Sequence, residues 1–176
     1  MKLIIDTDPG TDDAVAILVA LANFDNKEIL GITTVAGNVP VEVGTKNALR
    51  ILEFTGRTEI PVYEGCSKPM SRELVTAEWV HGTDGLNNLD ITTTTLKKQK
   101  LSAVDFITNE LEESNEKITI GVLGPMTNIG TVIKNNPPIV EKIQKIVFMG
   151  GSALRGNTTP VAEFNTYVDP ALLIKN

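Results

Sequence analysis

Four of the nine aspartates in this 176-residue chain, Asp6, Asp8, Asp12 and Asp13, fall within eight residues of one another. Crowded carboxylates repel and raise each other's pKa, so the cluster predicts a compensating cation. The segment offers oxygen donors and neither histidine nor cysteine, which suits calcium or magnesium rather than zinc. Pro9 and Gly10 let the chain turn tightly enough for Asp8 and Asp13 to face a common point. A divalent ion there lowers the pKa of a coordinated water, and an adjacent carboxylate takes its proton. The resulting chemistry would be attack of hydroxide on an electrophilic carbon or phosphorus. Helix capping is the competing account, because Asp12 and Asp13 open a helical pattern whose first-turn amides favour anions. Capping explains one or two of the four and leaves Asp6 and Asp8 without a reason.

The elements that must position these side chains alternate along the sequence. Residues 1–5 read as an apolar strand, and residues 12–24 as a helix apolar nearly all round, hence well buried. A β-branched strand over residues 28–35 ends in Gly37-Asn38, a helix spans 41–54, and a short extended segment covers 60–63. Residues 64–100 are polar and irregular, with a threonine run at 92–95 that reads as a solvated loop. Helix returns at 102–113, strand at 118–123 and helix at 127–135, where Pro137-Pro138 stops it. A last strand over 143–149 runs into Gly150-Gly151. This alternation predicts an α/β fold, a mostly parallel sheet with helices on both faces. Ligands in such folds bind beyond the carboxyl ends of the strands. Three unusual polar segments sit at such ends, 6–13, 37–38 and 150–165, and are expected to converge.

Composition narrows the function. Twenty-two acidic against sixteen basic residues give a net charge of −6, which argues against a nucleic-acid surface. No apolar run reaches membrane-spanning length, and four aspartates in the first fifteen residues are foreign to a secretory signal. The single cysteine, Cys66, excludes an internal disulfide and fits a reducing, cytoplasmic setting. Without a second histidine to activate it, Cys66 reads as a packed or loop thiol.

The segment Asp6-Thr7-Asp8-Pro9-Gly10-Thr11-Asp12-Asp13-Ala14 resembles the signature of the inosine–uridine-preferring nucleoside hydrolase family. Gly37-Asn38 matches the family's next element, and His81-Gly82-Thr83-Asp84-Gly85 its HG-x-x-G loop. Leu123-Gly124-Pro125-Met126-Thr127-Asn128 resembles the following turn. Met149-Gly150-Gly151, Asn157 and Ala162-Glu163-Phe164-Asn165 resemble the sugar-binding stretch, and Val168-Asp169-Pro170-Ala171 still follows the pattern. Order and spacing carry the likeness over essentially the whole chain.

The resemblance implies a Rossmann-like nucleoside hydrolase fold and calcium-dependent cleavage of the N-glycosidic bond of ribonucleosides to free base and ribose. Asp8 would be a calcium ligand and the general base, Asp13 a second ligand and the backbone carbonyl of Leu123 a third. Asp12, Asn38 and Asn165 would hold the ribose 2′- and 3′-hydroxyls, Asn157 and Glu163 the 5′-hydroxyl, and Met149 would line the sugar pocket. Asp6 would orient the loop from behind. His81 would sit at the base end near the leaving group, or else be a loop histidine held by Trp79 and Asp84. Family chains are longer and usually assemble as dimers or tetramers. Residues 1–176 would thus be the amino-terminal portion of a single such domain, incomplete at its carboxyl end. The remainder would supply a further calcium-ligating aspartate and, in many members, a histidine that protonates the base.

Two other functions fit parts of the sequence. Ile4-Ile5-Asp6-Thr7-Asp8 resembles the D-x-D strand end of haloacid dehalogenase-type phosphatases, with Asp6 as nucleophile. A degenerate family member would bind nucleoside or calcium without turnover.

Overall fold

The computed structural model describes residues 1–89 and 93–170; Thr92 of the threonine run and Ala171 of the last motif lie outside them. Five strands, β1 (Leu3–Thr7), β2 (Ile29–Thr34), β3 (Val62–Glu64), β4 (Ile118–Val122) and β5 (Ile143–Phe148), form one sheet in the order β3-β2-β1-β4-β5. Every pairing is parallel. The helices are α1 (Thr11–Asn23), α2 (Val41–Thr55), α3 (Glu78–His81), α4 (Ala103–Glu113), α5 (Thr127–Asn135) and α6 (Phe164–Val168).

The alternation of β1 explains both layers. Leu3 and Ile5 point into one core, with Ile17 and Leu21 of α1 and Ala48 and Leu52 of α2. Ile4 points into the other, with Phe106, Ile107 and Leu111 of α4 and Ile129 and Val132 of α5. Successive strand residues face opposite sides, so one apolar strand is covered by helices on both. Each such buried aliphatic side chain contributes roughly 1.5–3 kcal/mol relative to exposure. The α/β architecture expected from the sequence is the one observed.

Local signals account for the element ends. Ser102 accepts from the Asp105 amide at 3.1 Å and caps α4. Gly56 adopts φ +70° just past α2, a left-handed residue that ends a helix. The double proline turns the chain into a 3₁₀ helix over Pro137–Lys142 before β5.

Two expectations change. The helix at 12–24 is not buried all round: Ile17 and Leu21 face the sheet, whereas Val15 and Val19 are 59% and 57% exposed. Among the described residues nothing packs over that outer face, and only the inner one meets β1 and α2. Within the stretch read as irregular, residues 64–89 carry α3 and a turn in which Asp84 Oδ1 holds the Leu86 and Asn88 amides. No helix among the described residues is long and apolar enough to cross a membrane.

The strand order places β1 between β2 and β4. Strands β2 and β3 wind to one side of it, β4 and β5 to the other. This is the topological switch point, where parallel sheets open a crevice beyond the carboxyl ends of their strands. Thr7 ends β1 with Asp8 directly after it, and Leu123 follows β4.

Candidate active site

A cavity of about 270 Å³ opens at that crevice. Its walls include Asp12 from the first turn of α1, Asn38 from the β2–α2 loop and His81 at the end of α3. Leu123 follows β4, Met149 follows β5, and Asn157, Glu163 and Asn165 come from the segment leading into α6. The three polar segments expected to converge therefore do so. Asp8 and Asp13 lie beneath, 0% and 3% exposed.

Asn38 ties this floor to the wall. Its backbone amide donates to Asp8 Oδ2 at 2.6 Å, and its Nδ2 donates to Asp13 Oδ2 at 3.0 Å and to the Asp8 carbonyl at 3.3 Å. Asp13 also accepts from Thr7 Oγ1 at 2.8 Å and from the Gly10 amide at 3.1 Å, so it does close the α1 N-terminus. Asp8 Oδ1, by contrast, is buried with no hydrogen-bond partner. Gly124 passes so close that a Cβ there would lie 2.6 Å from this atom.

Burial dominates the electrostatics. It raises the Asp8 pKa well above the carboxylate range, with the Asp13 charge adding to the effect. Asp13 is raised for the same first reason. The sequence led us to expect mutual repulsion as the main cause; desolvation is larger, because the turn carries these carboxylates under the strand ends. Asp12 differs. Its side chain is 55% exposed at the cavity wall.

Asp6 faces away from the cavity. Fully buried, it accepts from Thr33 Oγ1 at 2.6 Å and Asn128 Nδ2 at 2.8 Å, and burial lifts its pKa from 3.8 to about 6. Asn128 also donates to the Thr34 carbonyl and accepts from the Cys66 amide at 2.9 Å, locking β1, β2 and α5 together. Asp6 is thus a positioning group, and its inaccessibility removes the phosphatase reading that required it as nucleophile.

The remaining side chains are oriented by their neighbours. Asn165 Nδ2 donates to the carbonyls of Leu123 and Met149 at 2.6 and 2.9 Å. Glu163 Oε2 accepts from the Asn165 and Thr166 amides, capping α6. His81 is held by Thr11, not by Trp79 or Asp84: its Nδ1 lies 3.3 Å from the Thr11 amide and 3.0 Å from Thr11 Oγ1, while Trp79 is 79% exposed.

Sequence reasoning missed Thr7, Thr11, Thr33 and Asn47. Asn47 bridges the Pro9 and Asp84 carbonyls at 3.2 and 2.7 Å, joining the aspartate turn to the histidine loop. A polar residue on the inner side of α2 was the available signal. Asp169 similarly gathers Met70, Ser71 and Thr127, which secures the α6 segment against α5.

Comparison with known proteins agrees with this architecture. Pyrimidine-specific ribonucleoside hydrolase RihA of Escherichia coli K12 is 43% identical over 170 residues, covering 97% of this chain and 54% of RihA. The uncharacterized protein C1683.06c of Schizosaccharomyces pombe is 46% identical over 172 residues, with 97% and 55% covered. The solved purine-preferring ribonucleoside hydrolase from Gardnerella vaginalis superposes with a TM-score of 0.91 at 36% identity, over 97% of this chain and 55% of that one. The chain spans about half the length of the curated relatives it matches. The family description "Inosine-uridine preferring nucleoside hydrolase" matches residues 3–171. By sequence match and by the sheet that carries its aspartate turn, the chain belongs to the inosine-uridine preferring nucleoside hydrolase family.

Proposed function

We propose that this site hydrolyses the N-glycosidic bond of ribonucleosides to free base and ribose, with calcium as its resident cation. The observation that carries the reading is the unpartnered Asp8 Oδ1, buried under a cavity whose walls accept hydrogen bonds. An orphan carboxylate oxygen beside a second buried carboxylate is costly unless a cation offsets the charge. The oxygen-only donor set favours a hard ion. Among the described residues no group of three His, Cys, Asp or Glu side chains is placed to hold a metal ion, so the donors within this stretch would be two carboxylates and a carbonyl. Asp8, Asp13 and the carbonyl of Leu123, which keeps a lone pair beyond its bond to Asn165, would hold the ion. When bound, calcium supplies the charge that compensates these carboxylates and acidifies water.

The chain's own groups account for the rest. Asp8, whose Oδ1 has no hydrogen-bond donor in the fold and which the cation would keep ionised, suits proton abstraction from the attacking water. Asn38 and Asn165 commit their Nδ2 donors to carbonyl and carboxylate oxygens, which leaves each Oδ1 to accept. Asp12 adds an exposed carboxylate. Ribose hydroxyls donate to such acceptors, and a deoxyribose would leave one without its donor. Charge develops on the anomeric carbon and ring oxygen as the bond breaks, and the acidic floor stabilises it. Asn157 and the free Oε1 of Glu163 would take the 5′-hydroxyl, Met149 the sugar face and His81 the leaving base. The relatives' names divide between pyrimidine-specific and purine-preferring, so the substrate is proposed as ribonucleosides in general.

The test is ribose release from inosine and from uridine by the purified chain, with calcium and after chelation. Release that chelation and Asp8→Asn both abolish is expected. Calcium-induced thermal stabilisation without release from either nucleoside would overturn the catalytic reading and favour a binding protein.

A further inference from the structure

We propose that Thr11 is a positioning residue that fixes His81 as the tautomer protonated at Nε2, so that the ring offers the cavity a hydrogen-bond donor. The role of that donor rests on the nucleoside-site reading above; the tautomer itself does not.

The Thr11 amide can only donate, and it lies 3.3 Å from His81 Nδ1 with hydrogen-bonding geometry. Nδ1 must therefore be bare, and a neutral imidazole then carries its proton at Nε2. Thr11 Oγ1, 3.0 Å from the same nitrogen, can turn its own proton toward it and reinforce the arrangement. Turning the ring over would present a carbon to the amide and forfeit both bonds. Glycine at position 10 permits this close approach: a Cβ there would stand 2.9 Å from Nδ1 and 3.0 Å from Cε1. The backbone is pinned as well, since the His81 amide donates to the Ala77 carbonyl, the His81 carbonyl accepts from Asn87, and the Ala77 amide donates to the Asn38 carbonyl.

The opposite nitrogen is left for a ligand. Nε2 lies 3.9 Å from Asp12 Oδ1, beyond hydrogen-bond distance, and both residues line the cavity. A wall that donates there favours ligands presenting a carbonyl oxygen or a bare ring nitrogen, and disfavours those presenting N–H. Thr11 touches neither ligand nor cavity in this account; it acts through the ring.

His81 is the only histidine, so a long-range ¹H–¹⁵N imidazole spectrum of labelled protein, recorded where the ring is neutral, contains one spin system. A bare Nδ1 and a protonated Nε2 are expected. Thr11→Val removes the hydroxyl, which can serve either tautomer, and keeps the amide, so the bare Nδ1 should persist; Thr11→Pro, tolerated at the first helical position, removes the amide and should lower the ratio of the two tautomers on the order of fivefold. A protonated Nδ1 in the natural chain, or a ratio unchanged in Thr11→Pro, overturns the proposal. Ribose release measured on the same samples separates the two readings. A bare Nδ1 without turnover supports the tautomer and sinks the hydrolase, whereas turnover with a protonated Nδ1 does the reverse.

Discussion

Replacing Asp6 by asparagine tests whether desolvation governs the buried carboxylates. Asp6 is fully buried, its Oδ1 is held by Thr33 and Asn128, and its Oδ2 has no partner. Its pKa stands at about 6 in the fold against 3.8 ordinarily. The folded chain therefore binds this proton more tightly than the unfolded chain. The group costs nothing below pH 3.8, costs progressively more as pH rises, and reaches its full penalty above about 6. At about 1.4 kcal/mol per unit the full penalty is about 3 kcal/mol, of which roughly 2 kcal/mol accrues between about pH 4 and 7. Asparagine keeps the Oδ1 acceptor and cannot titrate; its unpaired amide adds a cost of about 1–3 kcal/mol that does not vary with pH. Urea unfolding of both proteins, followed in chelator from about pH 4 to 7, isolates the titrating part. The stability of Asp6→Asn relative to the natural chain should climb by roughly 2 kcal/mol across that range. A flat or falling difference would refute the assignment of the raised pKa to burial.

Calcium should raise the melting temperature of the natural chain and leave Asp8→Asn and Asp13→Asn unmoved in a thermal scan. Its apparent affinity by calorimetry should strengthen with pH, since both raised carboxylates must ionise to bind. Gly124→Ala places a methyl 2.6 Å from Asp8 Oδ1 and 2.9 Å from Val35 Cγ1; overpacking of about 1–3 kcal/mol and loss of the calcium response are expected in the same two assays. Phe106→Ala removes a ring stacked on Tyr63 at 3.8 Å between centroids and 3% exposed. Urea denaturation should report a loss of about 3–5 kcal/mol, with the site's calcium response retained.

Much of the fold was legible because its signals are local. The strand and helix periods of 118–123 and 127–135 survive in β4 and α5 within a residue. Sequence could not foresee the bare outer face of α1, because an all-apolar helix reads as buried wherever its neighbours lie. Nor could it find α3, four residues long in a polar stretch and held by the Asn38 carbonyl and Thr11. Such a helix owes its existence to tertiary contacts rather than propensity.

By itself the sequence determined which chemistry is available. Four carboxylates in eight residues, asparagines at 38, 157 and 165, and one histidine supply an acidic set of oxygen acceptors and amide donors, because side-chain type fixes donor and acceptor character before any folding. Only the tertiary structure decided how that chemistry is divided. The strand order brings segments more than a hundred residues apart to one crevice, turning Asp6 inward, burying Asp8 and Asp13 beneath it and leaving Asp12 at its rim. Burial then sets each carboxyl's proton affinity, and a threonine amide seventy residues away in sequence chooses the tautomer of the histidine. Solvent exclusion and hydrogen-bond direction are properties of position in space, which spacing along a chain does not contain.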